Sequence, residues 1–182
     1  MKESAFMKKK LFLIMASIIV IFSMATPAFA QVNPRVNVYG KYTISPRNDH
    51  SQYMTAMYGE VNTRVYLWPS AADQSRYRIW RPGRYNADVK LYADFTVGQT
   101  SQYVLSRLEI ENLAYIFDEY ETSAASSQID FLTTNPATNE CRIFFSVAGK
   151  YLTASSTENG VPLSFSGYSS TASSQKWYID PA

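Results

Sequence analysis

The sequence predicts an all-β body assembled from three copies of one multi-strand unit, and three observations carry that prediction. An aromatic-apolar-x-small phrase occurs at Tyr53-Met54-Thr55-Ala56, Tyr103-Val104-Leu105-Ser106 and Tyr151-Leu152-Thr153-Ala154, with starts about fifty residues apart. Each phrase is followed by an apolar run: Val65 to Trp68, Ala114 to Phe117, then Leu163 to Phe165. Each unit then closes on an alternating pair, Tyr77 with Ile79, Ile129 with Phe131, and Trp177 with Ile179. A steady period of this length marks repeated supersecondary units that bury a shared core. A pseudo-threefold body of this kind has no unique catalytic cleft, which points toward binding.

The first thirty residues read as a targeting segment. Lys8, Lys9 and Lys10 supply a positive start, Leu11 to Ala25 is almost unbroken apolar sequence, and Ala28-Phe29-Ala30 has the small-x-small form of a cleavage site. The apolar stretch is about fifteen residues, short of the roughly 18 or more needed to span a bilayer. The expectation is a signal peptide over residues 1–30, a secreted chain over 31–182, and no membrane span after its removal. Without the signal, 13 Lys and Arg face 14 Asp and Glu. A near-neutral surface argues against nucleic acid as the partner. Cys141 is the only cysteine, so no internal disulfide is available and packing must hold the fold. It lies in Cys141-Arg142-Ile143-Phe144-Phe145, a strand-like run, and reads as a buried structural thiol.

The repeat places unit one at about 39–80, unit two at 89–134 and unit three at 142–180, all within a single domain of residues 31–182. Gln31 to Val38 reads as an approach strand or arm. Arg81-Pro82-Gly83-Arg84 and Asn135-Pro136-Ala137-Thr138-Asn139 read as the joins, because both are rich in turn residues. Tyr92 to Val97 alternates like a strand, and Ile143 to Val147 is a fuller apolar run. Ser106 to Tyr120 fits helical spacing as well as alternation; alignment with the other copies decides for strand.

Catalytic and metal chemistry find little support. His50, the only histidine, stands in the turn-rich Pro46-Arg47-Asn48-Asp49-His50-Ser51, where a solvated loop residue is expected. No zinc set, calcium loop or nucleophile elbow is present. The acidic run Asp118-Glu119-Tyr120-Glu121 reads as a solvated loop between strands. Arg76, Arg78, Arg81 and Arg84 stand among Tyr77, Trp80 and Tyr85. That patch suits either a sulfated glycan or acidic protein surface, or cation–π pairing with its own rings.

The repeated phrases resemble the ricin-type β-trefoil lectin family, whose units end in a Gln-x-Trp motif. The third unit matches best, with Gly149-Lys150-Tyr151-Leu152-Thr153-Ala154 as the opening, Asn159-Gly160-Val161-Pro162-Leu163 as the middle turn and strand, and Gln175-Lys176-Trp177-Tyr178-Ile179 as the close. In unit one Ser75-Arg76-Tyr77 replaces the closing motif, and in unit two Ser127-Gln128-Ile129 does so. The resemblance implies a β-trefoil of three four-stranded units, about twelve strands, with six closed into a barrel and three hairpins capping it. Gln175, Trp177, Tyr77 and Ile129 are then the fold-signature positions, the last three meeting in the core.

The resemblance also implies where a sugar would sit. Family members that bind galactose-like sugars place an Asp in the opening phrase and an aromatic platform after the middle strand. The matched positions here are Thr55, Leu105 and Thr153 for the Asp, and Trp68, Phe117 and Ser166 for the platform; none of the first set is a carboxylate. Unit one keeps the best candidate site, with Trp68 to stack, Thr55 to hydrogen-bond, Asp73 to supply charge and Tyr66 alongside; Phe117 is the platform of unit two. Trp68 has a second reading as a packing residue beside Pro69. The function implied is non-enzymatic binding of glycans or glycoproteins outside the cell, with no cofactor or metal. A protein-binding accessory or receptor-binding component of a secreted toxin complex is the alternative class. A protease inhibitor is a third, and neither a protruding loop nor bracing disulfides mark it.

Overall fold

The computed structural model describes residues 36–182 apart from 57–58, 70–75, 86–87 and 136. The expected signal segment of residues 1–30 lies outside the described residues, as do residues 31–35 of the expected arm. Among the described residues no helix is long and apolar enough to cross a membrane. All of them lie in one compact unit, Val32–Ala182.

The described residues form twelve strands: β1 Tyr42–Pro46, β2 Gln52–Ala56, β3 Thr63–Pro69, β4 Ile79–Tyr85, β5 Asp88–Ala93, β6 Tyr103–Leu108, β7 Leu113–Asp118, β8 Ile129–Thr133, β9 Glu140–Phe145, β10 Lys150–Thr153, β11 Ser164–Ser166 and β12 Trp177–Pro181. Every strand pairing is antiparallel. Six strands run in a ring: β1 pairs β12 and β4, β4 pairs β5, β8 pairs β9, β9 pairs β12, and β5 lies beside β8. Closure of this kind removes exposed sheet edges. The hairpins β2–β3, β6–β7 and β10–β11 touch one another in turn. Thr63 faces Ile116, Ser164 faces Leu113, and Tyr66 bridges to Pro162.

The core alternates along these strands as period two requires. Met54 and Leu67 face each other at full burial, as do Leu105 and Ile116, while Leu152 faces the nearly buried Phe165. Ile44, Leu91 and Ile143 fill the ring strands. Trp177 lies opposite Cys141 and Pro46, and its indole N–H donates to the Leu152 carbonyl at 3.1 Å. Trp80 occupies the matching place between Tyr42 and Ala93, and its N–H donates to the Met54 carbonyl at 2.8 Å. Ile129 takes the same position opposite Phe145. These registers correct the assignment of Tyr77. The unit-one counterpart of Gln175-Lys176-Trp177 is Arg78-Ile79-Trp80, and Tyr77 lies half-buried outside the core, edge-on to Phe95 at 5.1 Å.

The physical reason is reach. An indole N–H satisfies a buried carbonyl that a phenol at position 77 would leave orphaned. Cys141 is fully buried, and burial pushes its thiol well above the ordinary range. Such a thiol is inert.

Three other expectations are corrected. Arg81 to Arg84 is not a join but the middle of β4. β1 covers β4 only at Ile79 and Trp80, so Pro82 breaks no ladder bond on that side. Its carbonyl instead accepts the Tyr39 N–H at 2.6 Å. The strand at Tyr92 ends at Ala93 and gives way to a 3-10 turn over Asp94–Thr96. The Thr96 hydroxyl donates to the Ala93 carbonyl at 2.9 Å, a local bond that competes with the ladder. Val147 falls in a turn beyond β9 and is 57% exposed.

Candidate functional site

The outer faces of the three hairpins are where the sequence-predicted ligand residues fall. On β2–β3, Tyr53 faces Trp68 and Thr55 faces Tyr66, so these four side chains share the face opposite Met54 and Leu67. The fold thus brings Trp68, Tyr66 and Thr55 together. Asp73 lies outside the described residues.

Within this group Thr55 has another role. It is only 2% exposed, and its hydroxyl donates to the Tyr53 carbonyl at 3.0 Å. Thr153 does the same to Tyr151 at 2.9 Å, and Ser106 to Val104 at 3.4 Å. The polar position of unit two is therefore Ser106; Leu105 is fully buried and matches Met54 and Leu152. The Thr55 hydroxyl assigned to hydrogen-bond a sugar is turned inward and engaged.

Trp68 is half-buried. The loop before β11 runs along β3: Gly160 N–H donates to the Leu67 carbonyl at 2.9 Å, and Leu67 N–H to Val161 at 3.1 Å. A Cβ on Gly160 would stand 3.3 Å from the Trp68 ring, and Gly160 holds φ of 75°. Glycine is needed there for both reasons. One edge of Trp68 is thus packing surface. Arg78 stacks on Tyr53 beside it at 4.8 Å, and Arg76 on Tyr77 at 4.5 Å.

Phe117 sits at the matching register on β7, opposite Val104, and stacks on Tyr115 at 5.7 Å. It lines a hollow of about 380 Å³ with Arg107, Ile110, Glu121 and Thr122. Ile110 is 95% exposed at its rim. Arg107 bonds Asn112 at 3.2 Å and approaches Glu109 at 3.8 Å, which restrains its guanidinium. Tyr115 ties this hairpin to the first, donating to Glu111 at 2.7 Å and accepting from Arg64 at 2.8 Å. The Tyr115 hydroxyl and then Arg64 hold the Glu111 carboxyl below its usual range.

Sequence reasoning missed this hollow because it looked for an acceptor in the opening phrase. Here the carboxylate comes from Glu121, within the acidic run taken for solvated loop. In the same run Glu119 is only 6% exposed, which corrects that reading. A second omission is on the third hairpin. Ser166 is no platform, and Gln175 fixes it, donating to its hydroxyl and to the Gly167 carbonyl at 2.6 Å each. Beyond it Tyr168, 62% exposed, lies 5.5 Å from Tyr151, which packs on Phe144 at 4.7 Å, with Arg142 over Tyr168 at 5.1 Å. His50 rests near Tyr178, its ring 4.3 Å away. Among the described residues no cluster of His, Cys, Asp and Glu could hold a metal ion.

No protein-family model matches the chain, and no curated protein does. Solved structures do. A designed 3-fold symmetric protein, ThreeFoil, superposes with a TM-score of 0.62 at 16% identity, covering 79% of this chain and 99% of that one. The Macrolepiota procera ricin B-like lectin, solved in complex with lactose, gives 0.60 at 16% identity over 81% of this chain and 99% of its own. A mosquitocidal holotoxin gives 0.65 at 18% identity over 81% of this chain, which spans only 18% of that toxin's length. The chain therefore has an all-β fold that resembles the β-trefoil lectin domains.

Proposed function

We propose that this chain is a secreted, non-enzymatic carbohydrate-binding protein of the lectin type, a single domain over residues 31–182 built from three four-stranded units about a pseudo-threefold axis. The matched registers of Trp80, Ile129 and Trp177, and the likeness to a designed 3-fold symmetric protein, support the repeat. The observation that carries the function is the Phe117 hollow. Its lining combines the Phe117 ring with the guanidinium of Arg107 and the carboxylate of Glu121. A sugar needs that combination, since it offers one apolar ring face and many hydroxyls. Trp68 with Tyr66 is the proposed counterpart in unit one, and Asp73, which lies outside the described residues, is the charged group proposed to complete it. The lactose complex of the similar mushroom lectin favours the same ligand class.

A stacking contact contributes on the order of 1 kcal/mol. Each site is then expected to bind a monosaccharide at roughly millimolar Kd, with avidity from several sites or subunits. Galactose and N-acetylgalactosamine titrated by NMR should shift amides near Phe117 and Trp68. Phe117→Ala and Trp68→Ala should each abolish the shifts at their own site. Silence across a glycan array, or binding indifferent to both substitutions, sinks the reading.

The exposed Tyr168–Tyr151–Phe144 surface supports a second reading, in which the chain is a protein-binding component of a secreted toxin complex. That surface sets three rings in a row with Arg142 over the last, which suits a protein better than a single sugar ring. The likeness to part of a holotoxin points the same way.

A further inference from the structure

We infer that the β4–β5 hairpin carries a second, separate pocket that takes one acidic sugar ring, a uronate or sialate. It extends the carbohydrate reading to a place that shares no lining residue with the Phe117 hollow. The pocket is a hollow of about 220 Å³ lined in part by Tyr39, Arg84, Tyr85, Tyr92, Gln102 and Glu119. Drug-sized sites run to roughly 300–1,000 Å³, so this one suits a single ring.

Strand register builds it. Arg81 faces Tyr92, Gly83 faces Lys90 and Tyr85 faces Asp88, which sets these side chains on one surface of the hairpin. A Cβ on Gly83 would stand 2.6 Å from the Tyr92 ring. Glycine lets that ring lie across β4, where its hydroxyl donates to the Glu119 carboxylate. Glu119 is 6% exposed, and its backbone is pinned, its N–H to Gln102 at 2.9 Å and its carbonyl to the Thr122 hydroxyl at 2.9 Å. Lys90, itself 3% exposed, lies 4.3 Å over the Tyr85 ring and balances the buried carboxylate. Burial outweighs the pull of Glu119 and Asp88 and holds the Lys90 ammonium below its ordinary pKa. Tyr39 stands at the mouth, 62% exposed and at φ of 77°, a conformation bulky residues rarely adopt.

The chemistry selects the ligand. Tyr39 and Tyr85 offer ring faces to an apolar sugar face. Glu119 accepts only, and one tyrosine hydroxyl leaves it room for sugar hydroxyls. Arg81 is engaged by Asp94 at 2.7 Å, with Lys41 on the other oxygen at 3.0 Å. Arg84 is exposed and has no ion pair among the described residues. A ring carboxylate matches that guanidinium as a charge-assisted pair. A neutral sugar would leave Arg84 idle, and a cation would be repelled by it.

The test is an NMR titration of the labelled protein with glucuronic acid, N-acetylneuraminic acid and glucose. The two acids should shift the Tyr39, Gly83 and Tyr85 amides to saturation, and glucose should do so at least tenfold more weakly. Arg84→Gln should remove the preference for the acids, and Tyr39→Ala should weaken both; both residues are exposed, so the fold persists. No shift at these amides with either acid, or acid binding unchanged by both substitutions, overturns the inference. Galactose shifts at Ile110 and Phe117 report the other site in the same spectra, so each reading fails on its own.

Discussion

Replacing Trp80 tests the assignment on which the proposed three-unit core depends. Its side chain is fully buried between β1 and β5, and its N–H is the partner of the Met54 carbonyl. Truncating such a residue costs about 3–5 kcal/mol, and the orphaned carbonyl adds about 1 kcal/mol. For a domain of this size each kcal/mol lowers Tm by roughly 2–4 °C, so Trp80→Ala should melt about 10 °C or more below the parent. Trp177→Ala should fall by a similar amount, because its burial and its bond to Leu152 match. Tyr77→Ala removes a half-buried ring packed on Phe95 and should cost about 1 kcal/mol. Thermal and urea unfolding followed by far-UV circular dichroism measure all three. If Tyr77→Ala proves as costly as Trp80→Ala, the register argument is wrong.

Other outcomes follow from particular contacts. Gly83→Ala forces a methyl to 2.6 Å from Tyr92 and should destabilise by about 1–3 kcal/mol, read by urea midpoint. Gly160→Ala meets a φ of 75° and the Trp68 ring, and should cost about 1–2 kcal/mol while shifting indole resonances of Trp68. Burial tends to raise the Asp94 pKa, but Lys41 and Arg81 together hold it below 3.8. A depressed carboxyl stabilises the fold above its unfolded pKa near 4 and loses that contribution as pH falls through the folded value. The acid limb of stability should therefore flatten below pH 4 in Asp94→Asn, as urea unfolding at stepped pH will show. The Cys141 thiol should resist a thiol reagent in the native state and react fully in denaturant.

Much of the fold was legible because local chemistry decided it. Period-two alternation located β2, β3, β6, β7 and β9, and turn residues placed the break between β8 and β9. The failures have one physical cause. A one-residue slip turns a strand's side chains from core to surface, and sequence spacing does not carry that resolution across loops of unequal length. Thus Ser106 rather than Leu105 answers to Thr55, and Trp80 rather than Tyr77 answers to Trp177. The candidate platform residues Trp68 and Phe117 fall at matched registers because each lies within the strand that sets it. Their surroundings were not legible: Glu121 and Arg107 line one hollow with Phe117, and Gly160 packs against Trp68, from other strands and loops.

By itself the sequence determined the strand-rich class and the spacing of its repeated phrases. Only the tertiary structure decided which tryptophan fills the core, that Thr55 is sealed in and Glu119 buried, and where hollows form beside the rings. Alternation is written in each strand's own residues, whereas burial and pocket shape depend on what distant segments bring against them.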